Sequence, residues 1–164
     1  MTLFDTHAHY DDEAFDADRD AVLAAFDGLV IDPGCTLASS QAAVDLAARH
    51  THVYAAVGIH PENCGDFVPE HTDALRRMAR EPKVVAIGEI GLDYYWPENP
   101  PRDFQQQVFR AQLELALELN LPVIVHDREA HGDSLAIVKE YPALRGVFHC
   151  YSGSVEMARE LLRR

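Results

Sequence analysis

The strongest constraint in this sequence is an alternation of short apolar runs with longer stretches whose apolar residues recur at helical spacing. The runs are Leu3-Phe4-Asp5, Leu29-Val30-Ile31-Asp32, Val53 to Ile59, Val84-Val85-Ala86-Ile87, Pro122-Val123-Ile124-Val125 and Gly146-Val147-Phe148. A run without polar alternation suits a strand buried on both faces. Helices are predicted over Ala14 to Phe26 and Ala38 to Arg49, and around Leu75, Met78 and Ala79. A long one should follow Pro100-Pro101 on the stripe Phe104, Val108, Ala111, Leu115 and Leu119. Two more are placed by Leu135 and Val138 and by the stretch from Val155 to Leu162. Strand and helix in strict succession give a parallel sheet covered by helices, either an open doubly wound sheet or a closed barrel. With no linker and no change of composition, residues 1–164 read as a single domain.

Most of these runs close on a group that can bind a metal. His7 and His9 follow the first run, His60 the third, Glu89 the fourth, His126 the fifth and His149 the sixth. In a parallel sheet the C-terminal strand ends share one rim, where such folds build their sites. Residues far apart in sequence therefore converge. His7 and His9, one residue apart, project to the same side of an extended chain. Imidazole with carboxylate suits zinc, manganese or iron, and the lack of a C-x-x-C pair argues against a structural zinc knot. Glu89 sits in an otherwise apolar stretch, where an unpartnered carboxylate is costly. A cation beside it removes that cost, and its two oxygens could serve two metals.

Charge and cysteines narrow the class. The net charge of −13, from 27 acidic and 14 basic residues, argues against a protein that clamps long duplexes electrostatically. It leaves room for an enzyme that holds one strand end, since bound metals supply local positive charge. Cys35, Cys64 and Cys150 are odd in number and scattered, which fits a reducing cytoplasm better than a disulfide framework. No apolar run is long enough for a membrane helix, and the N-terminus carries no signal-peptide pattern.

Five stretches stand out together: Asp5-Thr6-His7-Ala8-His9, Val57-Gly58-Ile59-His60-Pro61, Gly88-Glu89-Ile90-Gly91-Leu92-Asp93-Tyr94-Tyr95, Pro122-Val123-Ile124-Val125-His126-Asp127-Arg128 and His149-Cys150-Tyr151-Ser152-Gly153. In this order they resemble the signatures of the TatD family, metal-dependent deoxyribonucleases among the amidohydrolase-like barrels. The resemblance implies a TIM-type (β/α) barrel and two divalent cations, Mg, Mn or Zn. It implies that His7 and His9 hold one metal, His126 and His149 the other, and that Glu89 bridges them. His60 resembles the family histidine that faces the substrate phosphate, and Arg128 the position that grips phosphate. Asp5 and Asp93 resemble groups that fix a ligand or a turn. The implied activity is 3′–5′ exonuclease cleavage of phosphodiesters at DNA 3′ ends, with RNA as a further substrate, by a cytoplasmic protein whose full-length barrel is a monomer.

The sequence departs from the family pattern in one respect. The family carries a late metal-binding aspartate in a glutamate-[serine or threonine]-aspartate-x-proline stretch, and Thr72-Asp73 echoes it only superficially. A barrel of this kind has eight strands in about 250 residues, whereas only about six βα units are legible here. The expectation is that these 164 residues belong to a longer polypeptide or are completed by another chain. Two rival functions stand beside the nuclease. One is a sibling amidohydrolase acting on an amide, lactone or small phosphoester, although Glu89 stands where such enzymes often use a carboxylated lysine. The other is a non-catalytic metal-binding fragment.

Overall fold

A computed structural model describes residues 3–163. Six strands form one parallel sheet in sequence order: β1 (Leu3–Asp5), β2 (Gly28–Pro33), β3 (Val53–Val57), β4 (Val84–Asp93), β5 (Val123–Arg128) and β6 (Gly146–Phe148). Each pairs in parallel with the next. The helices are α1 (Arg19–Ala25), α2 (Leu37–Arg49), α3 (Pro69–Met78), α4 (Arg102–Leu119), α5 (His131–Lys139) and α6 (Val155–Leu161). The sheet curls into part of a TIM-type barrel, with α2 packed on β2 and β3, α4 on β4 and α5 on β5. No helix is long and apolar enough to cross a membrane among the described residues.

The two faces of the sheet explain the unbroken apolar runs. One face, with Val30, Val57, Ile87 and Val125, joins Leu46, Leu75, Phe109 and Leu113 of the helices in a continuous core. The other carries Ala56, Ala86 and Ile124 with Ile31 in a smaller inner cluster. Toward the edge strands this concave surface opens: Phe4 is 57% and Val147 45% exposed.

Three details differ from the sequence-based expectation, each for a local reason. The helix expected over Ala14 to Phe26 is broken into a short 3-10 turn, Glu13–Phe15, and α1. Asp12 caps the turn by accepting from the Ala14 amide at 2.8 Å. The Arg19 guanidinium donates to the carbonyls of Tyr10, Asp11 and Asp12, which pins the preceding loop and keeps the chain from winding through it. Second, Glu89 does not lie past the end of its strand, because β4 continues through it to Asp93. The chain passes a cis Gly88–Glu89 peptide and a register shift between Ile87 and Ile90. Gly91, at φ 141°, permits this path, since a Cβ there would fall 2.0 Å from the His126 carbonyl oxygen.

Third, the buried face of α4 is not the stripe read from its apolar residues. Gln105, Val108, Phe109, Gln112, Leu113, Leu115 and Ala116 are buried, whereas Phe104, Ala111 and Leu119 are only partly so. Two glutamines thus face the core, and each satisfies backbone that helix and sheet leave unpaired. Gln112 accepts from the Ile59 amide at 2.8 Å and donates to the Ile59 carbonyl at 3.0 Å. Gln105 does the same for Asp93, at 2.9 Å each way, and also donates to the Pro100 carbonyl at 2.8 Å. These bonds fix the two segments that deliver His60 and Asp93 to the rim.

Candidate metal centre

Curling of the sheet brings its two edges together at the C-terminal rim. The rings of His7, just past β1, and His149, just past β6, stack with centroids 3.9 Å apart and planes 3° apart. His7 and His9 turn their Nε2 atoms to within 3.0 Å of each other. Asp5 sets this turn by accepting from the His7 amide at 3.0 Å, so its role is to shape the loop.

Glu89 stands at the centre, 3% exposed. Its oxygens face two separate groups of imidazoles. Oε2 lies 3.2 Å from His7 Nε2 and 3.6 Å from His9 Nε2. Oε1 lies 2.6 Å from His149 Nε2, 3.0 Å from His126 Nδ1 and 3.6 Å from His60 Nε2. Burial alone would raise the Glu89 carboxyl, but hydrogen bonds from His126, His149, His7 and His9 outweigh it and hold it far below the carboxylate range. The donor atoms of His7, His9 and Glu89 lie within 4.8 Å of one another, as do those of His60, Glu89 and His126.

Whether cations fit can be judged from the lone pairs. His126 offers Nδ1 to Glu89 Oε1 and Nε2 to Asp93 Oδ2, at 3.0 and 2.9 Å. Both partners are carboxylate oxygens, so without a metal the ring needs a proton on each nitrogen. Its pKa is raised accordingly, the two carboxylates overcoming a burial that lowers it. A cation at Nδ1 replaces one of those protons and leaves Nε2–H on Asp93, the usual carboxylate–histidine arrangement behind a metal ligand. The His7 side is similar: two imidazole nitrogens and a carboxylate oxygen converge, and His9 is pushed up to about 10 by the carboxylates of Asp11 and Glu89. The residues fit divalent cations on both sides of Glu89.

His60 differs from the others. Its Nδ1 accepts from the Glu62 amide at 3.3 Å, so that nitrogen bears a lone pair. Burial, reinforced by the charge of His126, lowers it to about 4. The ring is therefore neutral near pH 7 with its proton on Nε2, directed toward the Glu89 side. As it stands it is a hydrogen-bond donor at the site, and it could ligate a metal only by exchanging tautomers.

Asp93 is fully buried. Oδ2 meets His126, while Oδ1 accepts from the Tyr95 amide at 3.0 Å and from Asn99 Nδ2 at 3.1 Å. It both orients a histidine and ties down a turn. Arg128 is exposed, its guanidinium 3.9 Å from the Tyr95 ring centroid and 5.3 Å from that of Trp96. The charged fork and two partly exposed aromatic rings therefore form one surface beside the rim. Cys35 Sγ lies 3.9 Å from Glu89 Oε2, but burial and nearby carboxylates push its thiol up, so it stays protonated.

All six of the expected rim residues, His7, His9, His60, Glu89, His126 and His149, are thus in one cluster. Three contributors escaped the sequence reading. Gln105 and Gln112 were hidden inside a helix. Asp32 ends β2 as the histidines end other strands, and that position was the available signal. It is fully buried with neither carboxylate oxygen hydrogen-bonded among the described residues. Burial, then the Asp11 carboxylate, pushes it up to about 8.

A parallel α/β half-barrel with histidines and one carboxylate on its C-terminal rim defines the class of metal-dependent hydrolase barrels. Within that class, residues 4–164 match the family model of TatD related DNase, and the chain belongs to that family. It is 38% identical over 167 residues to the metal-dependent hydrolase YabD of Bacillus subtilis, covering 98% of this chain and 65% of that protein. It is 36% identical over 169 residues to the 3′-5′ ssDNA/RNA exonuclease TatD of Citrobacter koseri, covering 99% and 64%. Among solved structures, the TatD homologue YJJV of Escherichia coli superimposes with a TM-score of 0.90 at 33% identity, covering 98% and 64%. The chain therefore spans just under two thirds of the length of these relatives.

Proposed function

We propose that the rim binds two divalent cations, Mg, Mn or Zn, and that the protein is a cytoplasmic 3′–5′ exonuclease on single-stranded DNA or RNA, residues 1–164 belonging to a single hydrolase domain of which they are the N-terminal part. The observation that carries this is Glu89, whose oxygens each meet a separate group of imidazoles. Cations held by His7, His9 and Glu89 and by Glu89, His126 and His149 would supply Lewis acidity to both oxygens of an in-line displacement at phosphorus.

The protein's own groups have distinct tasks in this reading. Asp93 fixes the tautomer of His126 so that Nδ1 faces the centre. His60 donates its Nε2–H to a non-bridging phosphate oxygen, stays neutral through the working pH range, and is held in place by Gln112 through Ile59. Arg128 meets a phosphate with its planar fork. Tyr95 and Trp96, 50% and 42% exposed, offer rings to an unpaired terminal base. A net charge of −13 disfavours a long duplex footprint and is compatible with gripping one end. The named activity of the Citrobacter koseri relative supports the same substrate class.

The test uses 3′-labelled and 5′-labelled single-stranded oligonucleotides with added Mg2+ or Mn2+, beside p-nitrophenyl phosphate and carboxylate esters. Shortening from the 3′ end, abolished by Glu89→Gln and by chelator, is the expected result. Ester turnover with no nucleolytic products would transfer the reading to a small-ester hydrolase. Metal binding without turnover of either substrate would leave a binding protein.

A further inference from the structure

The geometry points to a further divalent-cation site on Asp11 and Asp32, beside the Glu89 centre and sharing only His9 with it. A donor atom from each of His9, Asp11 and Asp32 lies within 4.8 Å of the others. Asp32 is fully buried at the C-terminal end of β2, and neither of its oxygens has a hydrogen-bond partner among the described residues. Asp11 Oδ1 is likewise unpartnered, with His9 Nδ1 3.8 Å away. No lysine or arginine pairs with either carboxylate among the described residues; Arg19, nearby, gives its donors to the backbone carbonyls of Tyr10, Asp11 and Asp12 and to Asp16. A fully buried carboxylate beside a second, partly buried one, with no donor or cation between them, is costly, and native structures rarely leave such atoms unsatisfied.

The ligand class follows from the donors. The two carboxylates offer hard oxygen atoms, which suit Mg2+ or Mn2+ with water completing the shell, rather than a thiophilic ion. His9 turns Nε2 toward Glu89, so its Nδ1 edge, 3.8 Å from Asp11 Oδ1, faces the two carboxylates. The site is thus walled by the ring that faces the Glu89 centre on its other edge. A cation there would also offset two carboxylates that no lysine or arginine pairs with among the described residues.

Mn2+ alone is the probe. The full chain is stripped with chelator and titrated with Mn2+ near neutral pH, with bound ions counted per chain. Asp32→Asn is expected to bind one ion fewer than wild type. Asp11→Asn should weaken that same ion at least tenfold, and both variants should keep the ions at Glu89. Equal counts and affinities in wild type and Asp32→Asn overturn the proposal and mean that the two acids only share a proton. Glu89→Gln separates the two readings: ions lost there but not in Asp32→Asn sink the Asp11–Asp32 site alone, and the converse sinks the Glu89 centre alone. Should Asp32→Asn fold poorly, the rise in Tm on adding Mn2+ decides with Asp11→Asn. A smaller rise than in wild type supports the site, and an equal rise overturns it.

Discussion

Replacing Asp93 by asparagine turns the donor pattern behind His126 around. The side chain is buried and keeps its shape, so the change is in one negative charge and in the donors and acceptors it carries. The Tyr95 amide and Asn99 Nδ2 both donate to Oδ1, which obliges the asparagine to keep its carbonyl oxygen at that position. Its NH2 then takes the Oδ2 position, 2.9 Å from His126 Nε2. A donor there needs a lone pair on Nε2, so the neutral ring must carry its proton on Nδ1, 3.0 Å from Glu89 Oε1. That is the atom the proposed metal requires. Loss of such an orienting partner typically lowers metal affinity about 10–100-fold, equivalent to about 1.4–2.7 kcal/mol. The expected result is a loss of that size for the ion beside His126, with affinity on the His7–His9 side unchanged. Competition against a metallochromic chelator measures the affinities, and 15N shifts of the His126 ring report the tautomer. Wild-type affinity for both ions, with the proton on Nδ1 in the metal-free variant, would refute the reasoning.

Other outcomes follow from the same contacts. Gln112→Leu leaves the Ile59 amide and carbonyl without partners, at roughly 1–3 kcal/mol each, partly offset by about 1.5–3 kcal/mol from the buried leucine. Urea unfolding should show a net loss of about 1–3 kcal/mol, together with reduced kcat as His60 loses its support, and a change below about 0.5 kcal/mol would contradict this account of α4. Arg128→Ala removes a charge-assisted contact to phosphate worth about 1.5–3 kcal/mol, or roughly tenfold to 150-fold in KM, with metal content unchanged; loss of metal would make Arg128 structural. Burial holds His60 down to about 4 in the folded state, below the ordinary 6.5, so the neutral buried ring favours the fold fully above pH 6.5 and this contribution is lost as the pH falls through 4. In metal-free protein, wild type should therefore lose more stability than His60→Gln between pH 7 and 4, by an amount of order 3 kcal/mol; parallel pH profiles would rule this out.

The sequence by itself determined the order of elements and the identity of the rim. Uninterrupted apolar runs such as Val123-Ile124-Val125 had to be strands covered on both faces, and the histidines and the glutamate that close most of these runs had to reach a common edge. These signals are local, lying within a few residues of the chain. What the tertiary structure decided depends on distant partners. Gln105 and Gln112 look like interruptions of an apolar stripe until the backbone of Asp93 and Ile59 is brought against them. The break between Phe15 and Arg19 reflects a guanidinium folding back onto carbonyls 7–9 residues earlier. Sheet curvature, invisible in any single strand, stacks His7 on His149 across 141 intervening positions and separates the two oxygens of Glu89 between two groups of imidazoles. Asp32 makes the distinction sharpest. In the sequence it is the polar end of an apolar run, and only the packing of β2 beside the loop carrying Asp11 turns it into a buried carboxylate with no hydrogen-bond partner among the described residues.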